Sequence, residues 1–265
     1  MPEPASLTIH LLCMHDKDRA AYLAACARLG GPPPFAASLT LHSGALSQLP
    51  ASVRLDAIVS PANSYGRLDG AFDDAISRAL APADDYHALT RAAQAVLYAE
   101  HRGWANPGSC TRVPVPPFPP PSRPTRNVWG VRHLLLCPTM RVPESVAWDK
   151  EIVYRCVWSM LCAVDKHNRA VGDGEEAAAA ADRIGSVLMT PLATGVGRVS
   201  EHVWAAQLLL ALRHFDLAVR NPEEFGALEV DRILTLDGEI QATYEANLPK
   251  NDEPQQKTAE TAVHQ

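Results

Sequence analysis

The sequence predicts a layered α/β domain in which buried strands lie between helices. Two observations support this prediction. Short apolar runs typical of buried strands alternate along the chain with longer segments in which apolar residues recur at helical spacing. The chain has 265 residues and a hydrophobic content of 47%, which is enough for one large domain with a sizeable core.

Six apolar runs are predicted to be strands. In chain order they are residues 7–13, 38–43, 55–60, 110–115, 132–138 and 184–191. Four further segments are predicted to be helices, because apolar residues line one face or because capping residues precede them. One helix begins at about Phe72, and the others cover residues 85–102, 143–168 and 200–215.

Three segments do not have the composition of a core. Residues 113–126 are dense in proline, which indicates a surface loop or, alternatively, a ligand for a proline-recognising domain. Residues 172–182 are a low-complexity insertion. Residues 249–265 have almost no apolar content and are predicted to be a disordered tail. The folded domain is therefore predicted to span residues 1–248.

Charge and hydropathy exclude two classes of partner. The net charge of −6 argues against a nucleic-acid-binding protein that relies on a broad basic surface. No apolar run approaches the roughly 20 residues that span a bilayer, and the N-terminal segment lacks the basic start of a signal peptide. We therefore expect a soluble protein of the cytoplasm or the nucleus, with no membrane and no nucleic acid among its partners.

Neither the cysteines nor the histidines form a recognisable metal motif. The six cysteines show no CxxC pairing and lie mostly among apolar neighbours, so we expect free thiols rather than disulfides or a zinc site. The ten histidines form no HxxxH or HExxH pattern. The sequence therefore predicts no metal site and no cofactor.

Residues 56–76, DAIVSPANSYGRLDGAFDDAI, join a predicted strand to a helix through a loop of turn-forming residues. In α/β sheets, ligands bind at the carboxyl ends of strands, where helix N-termini offer free amides. We interpret this loop as a candidate ligand site, with an ordinary surface turn as the alternative. Asp73 and Asp74 fall in the first helical turn, where carboxylates complement the helix dipole, and Asp73 is the one more expected to turn inward.

A second loop of small residues has the same arrangement. The apolar run that ends at Thr190 is followed by PLATGVGRVS and then by the helix predicted to begin at Ser200. Successive exposed amides in residues 194–197 (Thr-Gly-Val-Gly) can bind a diphosphate. The chain contains no GxxxxGK[ST] loop and no convincing GxGxxG after its first strand, which argues against a P-loop enzyme and a Rossmann dehydrogenase.

Together the two loops resemble the macrodomain family, which binds ADP-ribose. DAIVSPAN, followed by SYGRLDGAF and DDAI, is similar to the family's strand, Asn and glycine-rich loop, and PLATGVG is similar to its phosphate loop. Residues 135–139, Leu-Leu-Cys-Pro-Thr, resemble the strand between them. The resemblance covers about residues 7–215, and it implies a three-layer α/β/α sandwich with a mixed central sheet.

The resemblance also implies roles for residues in both loops. Asn63 would hold the distal ribose, and Asp69 would orient or deprotonate an attacking water; for each of them, a turn-forming role is the alternative. Arg67 would pair with a phosphate or a carboxylate, or lie in solvent. The other residues expected to contact the ligand, with residues 194–197 at the diphosphate, are Ala62, Gly70, Ala71, Phe72, Thr139, Thr194, Gly195, Val196 and Gly197.

Two departures from the family pattern concern the ligand. Macrodomains usually carry G-D-I before the DAIV strand, and its Asp reads the adenine amino group; residues 44–46 here are Gly-Ala-Leu. Adenine recognition is therefore expected to use another acid or backbone groups, with a different ligand preference as the alternative. The glycine run is reduced to Gly70-Ala71, and the side chains of Arg67, Leu68 and Asp69 are expected to crowd the distal-ribose region.

The implied function is binding of ADP-ribose or an ADP-ribosylated protein, with hydrolysis of ADP-ribose conjugates such as ADP-ribosylated protein or ADP-ribose-1″-phosphate. Two alternatives remain open at this point. If no side chain in the pocket is positioned to activate water, the protein would bind ADP-ribose without hydrolysing it, as a non-catalytic reader. A degenerate pocket would leave an interaction protein that recruits partners through its proline-rich loop and tail.

Overall fold

The structure is a computed structural model that describes residues 7–34, 39–118, 127–172 and 182–248. Within these residues six strands form one sheet in the order β2-β1-β6-β3-β5-β4. The first five strands of this order are parallel to their neighbours, and β4 runs antiparallel to β5. The strands are β1 (Thr8–Cys13), β2 (Leu39–Ser43), β3 (Ala57–Ser60), β4 (Thr111–Pro114), β5 (His133–Leu136) and β6 (Ser186–Met189).

In the described residues, helices follow β1, β3, β5 and β6. The described helices are α1 (Asp16–Leu29), α2 (Ala71–Leu80), α3 (Ala88–His101), α4 (Ile152–Val171), α5 (Glu201–Arg220), α6 (Pro222–Gly226) and α7 (Val230–Gln241). Two single turns of 3-10 helix lie at Leu46–Gln48 and Glu245–Asn247. All six predicted strands are present, and the predicted helices at 85–102 and 200–215 correspond to α3 and α5.

Alternating strand residues build a separate apolar core on each face of the sheet. In β6, Val187 packs into the cluster that contains α1, α4 and α5. The next residue, Leu188, packs into the cluster that contains α2 and α3. Because the inner strands are buried on both faces, they are apolar at consecutive positions rather than at alternate ones. The predicted three-layer α/β/α sandwich with a mixed sheet is therefore confirmed.

One predicted helix begins later than expected, and three helices were not predicted. The helix predicted from residue 143 begins only at Ile152, since residues 143–151 form bends and turns. Trp148, inside that predicted helix, is 75% exposed, and the Val146 amide instead donates to the Gly197 carbonyl at 2.8 Å. Helices α1, α6 and α7 were not predicted. The buried positions of α1 include Asp18 and two alanines and give little apolar periodicity.

The non-core segments lie partly outside the described residues. Val113 and Pro114 belong to β4, which is an edge strand, where a proline is tolerated because its missing N–H faces away from the sheet. Residues 119–126 of the proline-rich loop, 173–181 of the insertion and 249–265 of the tail lie outside the described residues. The domain boundary at residue 248 stays a prediction. In the described parts, none of the helices combines the length and hydropathy needed to cross a membrane.

Substitution of Leu188 tests how much the buried side chains of β6 contribute to stability. The Leu188 side chain is fully buried, so Leu188→Ala removes contacts from a close-packed interior. We expect the free energy of unfolding, measured in urea, to fall by about 2–5 kcal/mol. Leu234→Ala, on the surface of α7 where the leucine is 61% exposed, should change it by less than about 0.5 kcal/mol. Equal losses in the two variants would contradict the assignment of Leu188 to the core.

Candidate functional site

A cavity of about 490 Å³ opens at the carboxyl ends of the parallel strands. Its wall is formed by the segments that follow β1, β3, β5 and β6. Parallel strands deliver their following loops to one edge of a sheet, which is where ligands bind in such folds. Every residue predicted from the sequence as a site residue lines this cavity: Ala62, Asn63, Asp69, Gly70, Ala71, Phe72, Thr139, Thr194, Gly195, Val196 and Gly197.

The Asn63 side chain organises the loop after β3. Its Oδ1 accepts hydrogen bonds from the backbone amides of Tyr65 at 3.0 Å and Arg67 at 3.4 Å. Its Nδ2 donates to the Arg67 carbonyl at 3.3 Å. This is the turn-forming arrangement that the sequence offered as the alternative. An amide nitrogen carries two hydrogens, so one remains for a ligand in the cavity.

The middle of this loop carries an ion pair. The guanidinium of Arg67 bonds the carboxylate of Asp69, and both side chains line the cavity. That hydrogen bond and the opposite charge lower the pKa of Asp69. Leu68 was expected to crowd the distal-ribose region, and this expectation is wrong. Its side chain is fully buried among the apolar side chains of α2 and α3, where it is removed from water.

Asp73 is a buried carboxyl group at the start of α2. It lines the cavity, and its Oδ1 accepts a hydrogen bond of 2.5 Å from the hydroxyl of Ser60, at the end of β3. Burial, and to a smaller extent the nearby charge of Asp69, raise the pKa of Asp73 to about 7 against the lowering effect of the Ser60 bond. Asp74 points elsewhere and accepts from Arg78 and Tyr86. The inward-facing acid is therefore Asp73, as expected.

The loop after β6 lines the cavity and contains unbonded backbone amides. The amides of residues 194–197 donate no hydrogen bond to any residue that the structure describes. Two flanking residues, Ala193 and Arg198, have positive φ angles of 61° and 58°, and such strained conformations are typical of functional loops. At Gly197 a side chain is excluded, because its Cβ would lie 2.5 Å from the Ala193 carbonyl oxygen.

The first turn of α2 adds further free amides. Gly70 is the N-terminal cap, and the amides of Ala71 and Phe72 precede the first intrahelical bonds, so they have no helical partner. Ala71 has a positive φ of 49°. Both residues line the cavity opposite the loop after β6. The partial positive charge of a helix N-terminus therefore acts on the same space as the amides of residues 194–197.

The residues that follow β1, through the first turn of α1, were missed as part of the site. Met14, His15, Lys17 and Asp18 line the cavity. Asp18 is buried, and burial raises its pKa. No motif marks this segment in the sequence. Only the position of β1 beside β6 brings it to the cavity, so the contribution of these residues depends on the sheet order.

A second group of titratable side chains lies at the opposite end of the sheet. His133, His167 and Asp182 each have one potential metal-ligand atom within 4.8 Å of the others, a proximity that their spacing in the sequence did not indicate. The Arg112 guanidinium lies 3.2 Å from Nδ1 of His133. Because that positive charge repels a cation at the same imidazole, we interpret the group as histidines in contact with a carboxylate.

The comparisons with known proteins end at the level of the fold. Neither a protein-family model nor a curated protein matches the chain. A search of solved structures finds the Oceanobacillus iheyensis macrodomain with ADP, at 18% sequence identity and a TM-score of 0.43, covering 61% of this chain and 70% of that one. It also finds a mutant of that macrodomain with ADPR, at 16% identity, a TM-score of 0.44 and coverage of 63% and 73%. Macrodomains are the family that the two loops resemble.

The buried carboxyl of Asp73 should make stability depend on pH. Its pKa of about 7 in the folded protein lies above the ordinary value, so the folded state holds its proton more tightly and stability is lost as pH rises toward 7. Asp73→Asn removes this loss and keeps an acceptor for Ser60. We compare the free energy of unfolding of Asp73→Asn with that of the unmodified protein. The difference between them should increase in favour of the variant by about 2–3 kcal/mol from pH 5 to pH 8.

Urea unfolding of both proteins at the two pH values measures this difference. Asp74→Asn is the matched control, because Asp74 is in the same turn and the bond from Arg78 lowers its pKa. That variant should not gain stability over the unmodified protein as pH rises. A constant difference between Asp73→Asn and the unmodified protein would contradict the raised pKa.

Proposed function

We propose that this protein binds ADP-ribose, free or attached to a protein, in the cavity at the carboxyl ends of β1, β3 and β6. The strongest support is the run of four unbonded amides in residues 194–197, which faces the same cavity as Asn63. Successive backbone amides bind anions without a basic side chain. A diphosphate is therefore a fitting ligand for this loop in a protein whose net charge is −6.

The cavity has room for a ligand with two sugar ends. Its volume of about 490 Å³ falls in the range of roughly 300–1,000 Å³ that is usual for small-molecule sites. With the diphosphate on residues 194–197, one ribose reaches Asn63 and the first turn of α2. The resemblance of the loop after β3 to the distal-ribose loop of macrodomains supports this orientation.

We further propose that the protein hydrolyses ADP-ribose conjugates at the distal ribose. A water molecule would attack the anomeric carbon, the bond to the protein side chain or the phosphate would break, and the water proton would pass to a carboxylate. Asp73 is suited to accept that proton, since its pKa of about 7 lies near physiological pH. Asp69, held ionised by Arg67, is suited to orient the water.

Two alternative functions are distinguished from the proposed one by measurements of binding and turnover rather than by geometry. A reader of ADP-ribose would use the same cavity and the same amides without turnover. An interaction protein would bind no ADP-ribose at all, and its partners would meet other surfaces. ADP-ribosylated proteins remain the proposed partners, and the cytoplasm or the nucleus remains the proposed location.

ADP-ribose binding can be measured by isothermal titration calorimetry and by thermal shift, because a ligand that binds only the folded state raises the melting temperature. Gly197→Ala should weaken binding by at least about 10-fold, since the new Cβ displaces the loop that carries the amides. Gly238→Ala, where a Cβ meets open space on α7, should bind as the unmodified protein does. The absence of binding at millimolar ADP-ribose would sink the proposal and favour an interaction protein.

Hydrolysis can be followed as release of ADP-ribose from a modified protein and from ADP-ribose-1″-phosphate. Asp73→Asn should slow release by about 10²–10⁴-fold, the usual contribution of a general base, with ADP-ribose affinity changed only a few-fold. Asp69→Ala should abolish turnover at similarly preserved affinity. The control, Asp74→Asn, should keep full turnover. Binding without release by the unmodified protein would identify a reader.

A further inference from the structure

Two cysteines lie opposite each other where β4 begins and β5 ends. In the antiparallel pairing of these strands, Thr111 is opposite Leu136. Continuing the same register by one position places Cys110 opposite Cys137. Both are free thiols, with Cys110 half-buried and Cys137 fully buried. The proline-rich residues 113–126 lie between them in the sequence, so the spacing of the cysteines did not indicate this proximity.

The backbone hydrogen bonds show which kind of cross-strand pair they form. The Cys137 amide donates to the Ser60 carbonyl of β3 at 2.8 Å, so the polar backbone groups of Cys137 face away from β4. Cys110 and Cys137 are therefore a non-hydrogen-bonded pair, in which the two Cα atoms lie about 4.5 Å apart. Disulfides form when this separation is about 4.4–6.8 Å. The sheet thus holds the two backbones at a spacing that a disulfide can bridge.

The two thiols also lie on the same side of the sheet. Cys137 belongs to the apolar cluster that contains α4, and Cys110 packs against that cluster. The hydrogen bond between the two thiols, together with burial, raises the pKa of Cys137 well above its ordinary value. Cys156, on α4, donates its thiol hydrogen instead to the Pro138 carbonyl at 3.7 Å. Register, side and contact therefore all favour the pairing of Cys110 with Cys137.

We propose that Cys110 and Cys137 are an oxidation site, at which a hydroperoxide converts the two thiols into a disulfide that fastens the edge strand β4 to β5. This inference is independent of the proposed function. In the sheet of the described residues, β4 pairs with β5 alone, through a ladder of four residue pairs. A covalent bond directly beside this short ladder would hold the strand in its register.

The reaction with hydrogen peroxide proceeds in two balanced steps. Cys110 reacts first, because it is the more exposed thiol and the raised pKa keeps Cys137 protonated. The Cys110 thiolate attacks a peroxide oxygen, the O–O bond breaks, and the released hydroxide takes up the thiol proton, which leaves a sulfenic acid and water. The Cys137 sulfur then attacks the Cys110 sulfur, the S–O bond breaks, and the departing hydroxide takes the Cys137 proton. One peroxide is thus reduced to two waters, and two thiols are oxidised to one disulfide.

The segment that leads into β4 connects this pair to the cavity. The Gly108 amide donates to the Pro138 carbonyl at 2.8 Å, and the Ala105 amide donates to the Ser64 carbonyl at 2.9 Å. Each acceptor is next to a residue that lines the cavity, so a disulfide at the start of β4 would support the cavity wall without entering it. Cross-linking also removes freedom from the unfolded chain. The oxidised protein should therefore melt at least about 5 °C above the reduced protein.

Peptide mapping of the folded, full-length chain tests the pairing. The protein is oxidised with hydrogen peroxide, its remaining thiols are alkylated, and it is digested with trypsin without reductant. Cleavage after arginine releases Cys110 in residues 103–112 and Cys137 in residues 133–141, with the remaining cysteines in other peptides. Mass spectrometry should find these two peptides joined. Pairing of either one with a different cysteine, or two thiols that stay open to alkylation, would overturn the inference.

Two variants connect the disulfide to stability. After oxidation, Cys110→Ser should form no cross-link and should melt at the temperature of its reduced form. Cys162→Ser is the matched control, since Cys162 is an exposed thiol on α4, and it should keep both the cross-link and the rise of at least about 5 °C. If Cys110→Ser does not fold, Cys137→Ala replaces it, and the peptide map of the unmodified protein decides if neither folds. A cross-link without a rise in melting temperature would refute the fastening of β4.

Discussion

The parallel ladder that holds β6 between β1 and β3 is the constraint on which the rest of the structure depends. Val187 of β6 pairs with Ile9 on one side and with Ala57 on the other. Because the three strands run in the same direction, each connection between them must return along a face of the sheet, and helices make these returns. The carboxyl ends of the strands and the first turns of α1 and α2 therefore meet at one edge, where the cavity lies.

This convergence gathers polar groups that the fold alone does not satisfy. An unpartnered buried polar group costs about 1–3 kcal/mol, and the cavity wall contains two of them, on Asp18 and Thr190. Ala71 and Ala193 add backbone strain of about 1–2 kcal/mol each, because their φ angles are positive. The two unpaired polar atoms are groups that a bound ligand with hydroxyl groups would pair, whereas the backbone strain is held by the surrounding fold.

The sequence predicted the strands and both loops well because their signals are local. DAIVS is an apolar run long enough for a strand buried on both faces, and the turn formers after it mark where it ends. Asp18 carries no such local signal. Its burial depends on a helix with little apolar periodicity and on β1 lying beside β6, and no local sequence pattern reveals either of them. Val146 is similar, since its bond to the Gly197 carbonyl joins segments about fifty residues apart and prevents an earlier start of α4.

The loop between β3 and α2 shows how two neighbouring carboxyl groups acquire different chemistry. Asp69 faces Arg67 and stays ionised, whereas Asp73 is buried beside Ser60 and retains its proton to near neutral pH. The charge of Asp69 contributes to that difference, because it opposes a second negative charge at Asp73. Environments that separate two pKa values are how acid and base roles are divided in enzymes. Burial therefore sets the protonation of Asp73, and the charge of Asp69, which Arg67 keeps ionised, adds a smaller effect in the same direction.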